Sequence, residues 1–184
     1  MTRTIRFRDI VREDLYAATG HRRLRRAVTA FLFIPGFSTI LLHRLALPMI
    51  RTPLDKLGNL IWAWNVRRSG CHFHLDSVIA PGLRLPHPVA VVIGQGVTVG
   101  RNVTLYQSVT IGRSKSEDYP VIEDDVIIYP NAVVIGPIRV GEGAVIGAGS
   151  VVLRDVPAGA VVAGNPARIL KLPDPSDAAL PGVQ

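Results

Sequence analysis

The sequence predicts a mainly β protein, a parallel β-helix preceded by an N-terminal α-helical region, on three observations. From Ile79 onward aliphatic residues recur every sixth position. Glycine follows that key residue at Gly94, Gly100, Gly112, Gly141 and Gly147. Before about residue 70 the spacing is instead three and four, the period of an amphipathic helix. The boundaries read as 1–70 helical, 71–160 β-helix and 161–184 cap and tail.

In the helical part, DIVREDLYAA, RAVTAFLFI, FSTILLHRLALPMI and LDKLGNLIWAWNVRR each carry one apolar stripe. Pro35-Gly36, Pro48 and Pro53 separate them. Asp55, or Thr52 before Pro53, offers the start signal of the last helix. The run AVTAFLFIPGFSTILL (27–42) is broken by Pro-Gly and too short for one membrane-spanning helix, so it reads as two helices. The flanking HRRLRR leaves a peripheral membrane contact open.

In the β part, Ile79 and Leu85 form one series of sixes, and Ile93, Val99, Leu105 and Ile111 a second. Ile122, Ile128, Val134, Val140, Ile146 and Val152 form the third. Each six-residue unit supplies one short strand and one turn. Three units, about 18 residues, close a coil whose aliphatic side chains stack inward. Strands of a sandwich would alternate with loops of varied length, without a constant six. Two interruptions stand out: a slip of two residues in GLRLPHPVAVVIG (82–94), where His87 lies between two prolines, and the polar segment RSKSEDYP (113–120). Insertions into a solenoid fall on one face and often bear function.

Charge is unevenly placed. Residues 1–70 hold 13 Lys+Arg and 4 Asp+Glu, or +9; residues 71–184 hold 8 and 10, or −2. A basic half can meet phosphate, but aromatics are few and no nucleic-acid motif is present, so no nucleic-acid partner is expected. The polar N-terminus and the single Cys71 lead to the expectation of a cytoplasmic protein without a secretory signal. His72 and His74 flank Phe73 beside Cys71, yet no further ligands at zinc spacing follow, so no metal is expected.

The interrupted hexapeptides resemble the left-handed β-helix acyltransferases, and serine acetyltransferase most of all. The resemblance rests on VREDL, PGFSTILLHR, PHPVAVVIG, NVTLYQSVTIG, VGEGAVIGAGSVVLRDVP and VVAGNPARI. IGAGSVV and AGNPAR indicate only the superfamily, whereas PGF…HR with PHPVAVVIG is specific to the serine-acetyltransferase-like branch, which includes sugar O-acetyltransferases. The resemblance implies a homotrimer or a dimer of trimers, with acetyl-CoA in the groove between subunits and an alcohol as acceptor. It implies that His87 is the general base of a direct transfer. A histidine suits that role because imidazole gains and loses a proton near neutrality. It also implies that Ala148 and Gly149, in a run of small residues, admit the pantetheine arm. Arg168, Lys171 and, more weakly, Arg154 stand as its phosphate-binding cations.

Four positions depart from that pattern. Pro86 stands where the family has aspartate, Asp118-Tyr119-Pro120 where it has Arg-His-Pro, His72 at an acidic position, and His21-Arg22-Arg23 at another. A serine substrate needs a cation for its carboxylate and an anion for its ammonium, because unpaired buried charges are costly. The expectation is therefore a sugar or polysaccharide-precursor acceptor, held by Tyr119, Asp118 and His72. The alternatives are a true serine O-acetyltransferase of cysteine biosynthesis, or a catalytically idle trimeric scaffold.

Overall fold

The structure is a computed structural model that describes residues 6–115 and 118–173. Ser116 and Glu117 of the polar insertion, and residues 174–184 of the expected tail, lie outside the described residues.

Four helices come first: α1 (Phe7–Thr19), α2 (Ala27–Phe33), α3 (Pro35–Ala46) and α4 (Asp55–Ser69). Gly20 and Gly70 end α1 and α4 in the left-handed region, φ 72° and 68°, where a Cβ would be strained. Pro35 opens α3 with its φ already set for a helix. The 27–42 run is thus two helices, as its Pro-Gly break requires. Neither start signal caps α4 through its side chain. Leu54 is the capping residue, while Thr52 Oγ1 and Asp55 Oδ1 accept from the Leu54 and Arg51 amides just ahead of it.

The solenoid has three faces of stacked parallel strands. The first holds β1 (His72–Phe73), β3 (Val92–Ile93), β6 (Thr110–Gly112), β9 (Val133–Ile135) and β12 (Val151–Val152). The second holds β2 (Val78–Ile79), β4 (Thr98–Val99), β7 (Val121–Ile122) and β10 (Arg139–Val140). The third holds β5 (Thr104–Leu105), β8 (Ile127–Ile128), β11 (Val145–Ile146) and β13 (Val161–Gly164). The last strand, β14 (Ala167–Lys171), folds back antiparallel on β13 and covers the end of that face.

Register follows the six-residue period, with the polar insertion looped out of the coils it interrupts. Ile93 pairs with Ile111, Val99 with Ile122, and Leu105 with Ile128. Ile93, Val99, Leu105, Ile111, Ile128, Val134, Val140 and Ile146 are wholly buried, in one continuous core. Full burial of one such side chain is worth about 1.5–3 kcal/mol, so the stack itself is the main source of stability.

Two contacts seat the helices on the first coil. The first is a close approach: a Cβ on Gly36 of α3 would lie 2.2 Å from the Leu85 carbonyl oxygen, so only glycine lets α3 sit there. The second is polar. Arg44 Nε donates to Asp14 Oδ2 at 3.0 Å, its guanidinium donates to the Ile79 and Ala80 carbonyls, and Asp14 Oδ1 accepts from the Gly82 amide at 2.8 Å. Both side chains are buried, so α1, α3 and the 79–82 turn are joined by a single charged cluster.

Beside it, His43 is fully buried, edge-on to Phe73 at 5.6 Å. Neither ring nitrogen has a partner among the described residues. Burial, and then the neighbouring Arg44, push its pKa from the ordinary 6.5 down to about 3. The unfolded chain therefore takes up a proton at His43 in a range where the folded chain does not. The stabilisation is whole above about pH 6.5 and is lost as pH falls toward about 3. At roughly pH 5 the loss should reach about 2 kcal/mol. Urea unfolding of His43→Leu at about pH 7.5 and about pH 5 should show a pH dependence smaller than the parent's by that amount. Equal pH dependence in the two proteins would contradict this.

Candidate active site

The two-residue slip is a built feature of the chain. Arg84 still bridges Thr104 on the third face, and Leu85 still turns into the core. Then Pro86-His87-Pro88 leaves the coil, and the Val89 amide donates back to the His87 carbonyl at 2.8 Å. Ala90 adopts φ 54° before Val91 re-enters the core. The extra residues make a ledge at the corner between the third and first faces, with the prolines restricting its backbone.

His87 is exposed on that ledge and opens into a cleft of about 380 Å³ between the helices and the first coil. Its other walls include Pro35 and Thr39 of α3, and Arg68 and Ser69 at the end of α4. Arg68 is held in place by hydrogen bonds to Thr39 Oγ1 at 3.1 Å and Asn65 Oδ1 at 3.3 Å. Guanidinium has five N–H donors, so others remain for a bound anion. Sequence reasoning missed Arg68, because its place depends on where the end of α4 meets the ledge.

Below His87 the same corner carries an aromatic column. Tyr106 lies 6.2 Å from the His87 ring, and Tyr129 stacks on Tyr106 at 5.1 Å and 12°. Farther down this corner come Ala148 and Gly149, both exposed, with the Gly149 amide donating to the Pro130 carbonyl at 2.8 Å. Strand spacing puts them about 14 Å from the ledge, three coils away. Arg168 and Lys171 are exposed on β14, and Arg154 is exposed after β12. The corner thus runs from an imidazole past small residues to Arg168 beside Ala163, whereas Lys171 lies beside Val161 at the other edge of the third face and Arg154 at the corner between the first and second faces.

The expected acceptor residues lie elsewhere in the chain. Asp118 and Tyr119 line a separate cleft of about 460 Å³ at the corner between the first and second faces. Tyr119 packs on the solenoid core and over Gly96, where a Cβ would come within 2.5 Å of its ring, and Arg113 lies 5.7 Å from that ring. His72 packs edge-on to Trp62 of α4 at 5.3 Å, and Trp62 Nε1 donates to the Phe73 carbonyl. It is not among the walls of the His87 cleft. One chain therefore brings His87 together with Arg68 and Thr39, and holds Asp118 and Tyr119 at the opposite corner of the first face. Among the described residues no group of three or more His, Cys, Asp or Glu is arranged to hold a metal ion.

Residues 119–154 match the bacterial transferase hexapeptide (six repeats) family. A serine acetyltransferase of Synechococcus elongatus is 34% identical over 156 residues, which are 79% of this chain and 61% of that protein. The chain thus spans less than two thirds of this curated relative's length. The structure of a soybean serine acetyltransferase complexed with serine superposes with TM-score 0.78 at 32% identity, covering 89% of this chain and 69% of that one. A serine acetyltransferase from Brucella abortus in complex with coenzyme A superposes with TM-score 0.74 at 30% identity, covering 88% and 66%. The solenoid matches the left-handed β-helix of these proteins, the fold class expected from the hexapeptides and their resemblance.

Proposed function

Because this chain belongs to the serine acetyltransferase-like hexapeptide-repeat family, we propose that it is an acetyl-CoA-dependent O-acetyltransferase with His87 as general base. In this reading His87 takes the acceptor's hydroxyl proton as the oxygen attacks the thioester carbonyl. The tetrahedral adduct collapses, the C–S bond breaks, and the same imidazole returns the proton to the departing thiolate. The observation that carries the reading is the ledge: an exposed imidazole at the head of the corner that leads to Ala148, Gly149 and Arg168, with Lys171 farther along β14.

The two halves of the expected site stand at opposite corners of the first face, so they can meet only across a subunit boundary. A homotrimer, or a dimer of trimers, is therefore part of the proposal. Exposed Val89 and Tyr129 at the His87 corner, and exposed Leu153 at the other, support coverage by a neighbour. A cytoplasmic setting suits the single, buried Cys71.

For the acceptor, the relatives favour serine over the sugar expected from the altered loop. One of them is complexed with serine. The guanidinium of Arg68 in the His87 cleft offers this chain a carboxylate partner in place of the arginine missing at Asp118. A sugar hydroxyl is the second reading, and Asp118 with Tyr119 favours it, as hydrogen-bond acceptor and ring platform. Thiol release from acetyl-CoA should be measured with serine and with free and nucleotide-linked sugars. On the first reading serine is turned over fastest. Arg68→Met should then raise KM for serine about tenfold or more while leaving KM for acetyl-CoA in place. Faster turnover of a sugar, unaffected by Arg68→Met, would replace the first reading by the second.

A further inference from the structure

No residue from His21 to Phe33 lines the His87 cleft, yet the surface of this segment is unusual. Val28, Leu32 and Phe33 of α2 are 70%, 66% and 76% exposed. Arg22, Arg23, Arg25 and Arg26 immediately precede them, all exposed. No acidic residue occurs between Asp14 and Asp55. Arg25 and Arg26 lie in the 3-10 turn Leu24–Arg26 that leads directly into α2, and Val28 and Leu32, four residues apart, share one face of that helix, so the cations stand at the head of an exposed apolar face. Beside them a groove of about 490 Å³ has Arg26, Ala30, Phe33 and Ile34 among its walls.

We propose that this segment docks on an anionic lipid surface, with α2 lying in the boundary between headgroups and acyl chains. The apolar face enters the acyl region while the guanidinium groups stay with phosphate. Arg22 is engaged by Glu13 and lies over the Tyr16 ring at 3.9 Å, so Arg23, Arg25 and Arg26 are the ones offered to lipid. The contact is interfacial, not spanning. Among the described residues no single helix is long and apolar enough to cross a membrane. The segments Leu24–Phe33 and Pro35–Met49 are bent by 112°, and α3 is buried against the solenoid and its neighbouring helices, leaving α2 to meet the bilayer.

A second copy of this chain fits the same face poorly. Symmetric pairing would bring two sets of Arg23, Arg25 and Arg26 together with no acid in the segment to offset them. Another exposed apolar stripe, Leu57, Leu60 and Trp64 on α4, has no such cationic run before it.

The test is co-sedimentation of the full chain with vesicles of phosphatidylcholine, alone or with about a third phosphatidylglycerol, at low and high salt. Anionic vesicles should retain the protein about tenfold or more over neutral ones, and salt should abolish the difference. Leu32→Glu with Phe33→Glu, and separately Arg25→Glu with Arg26→Glu, should each lower retention about tenfold or more. Circular dichroism and acetyl transfer in solution should stay unchanged, because these side chains are exposed and none of them lines the His87 cleft. Equal retention by both vesicle types, or none, overturns the proposal. So does a smaller assembly in sedimentation velocity for Leu32→Glu with Phe33→Glu, which would assign the face to a second copy.

Discussion

Replacing Asp14 with alanine should destabilise the fold by about 3–5 kcal/mol, a large share of the stability of a domain this size. The reason lies in what Asp14 leaves behind. Arg44 is 6% exposed, and its guanidinium is aimed at Asp14 and at two backbone carbonyls of the first coil. Without the carboxylate, a buried cation keeps its desolvation cost and loses its counter-charge, while the Gly82 amide loses its acceptor. The pair as a whole need not stabilise much, because two desolvation costs offset the attraction. Asp14→Leu combined with Arg44→Met should therefore recover the part of the loss that comes from the unpaired cation, leaving the part that comes from the Gly82 amide. Urea unfolding of the single and double variants, at one protein concentration, separates the two effects. If Asp14→Ala costs less than about 1 kcal/mol, the cluster does not anchor the helices as described.

This cluster also marks where reading the chain stops. The hexapeptide series was legible because each unit contributes its own strand, turn and inward side chain, and Ile93, Val99 and Leu105 are buried where that local rule puts them. His87 stood out because it interrupts such a rule. Asp14 and Arg44 belong to two helices whose stripes reveal a buried face but not its partner, and their joint target at Ile79–Gly82 lies in a third element. Arg68 reads as the basic end of α4, favourable to the helix dipole wherever it points. Only the packing of α4 against the ledge turns it into a wall of the His87 cleft. Asp118 and Tyr119 were found by position in a motif, and position in a motif carries no information about which chain completes the site. Their place at the far corner of the first face is a property of the triangular coil, which no single motif spells out.

His87→Ala should lower kcat for acetyl transfer about 10²–10⁴-fold, the range expected when a positioned general base is removed. That is roughly 3–5 kcal/mol of transition-state stabilisation. Stability should change by less than about 0.5 kcal/mol, because the ring is exposed and no hydrogen bond within the described residues depends on it. KM for acetyl-CoA should stay near the parent value, since the expected contacts with its pantetheine arm and phosphates, at Ala148, Gly149, Arg168 and Lys171, lie coils away from the ledge. The combination matters more than the activity loss alone. A variant that lost activity through collapse of the ledge would also unfold more easily, since Leu85 beside it is core and carries the close contact with Gly36. Added imidazole should restore part of the rate, because the open cleft in front of His87 has room for a small base. Retention of more than about a tenth of the parent kcat would move the proton transfer to another group. If the parent protein itself transferred acetyl to neither serine nor any sugar, the ledge would be a structural remnant on an idle scaffold.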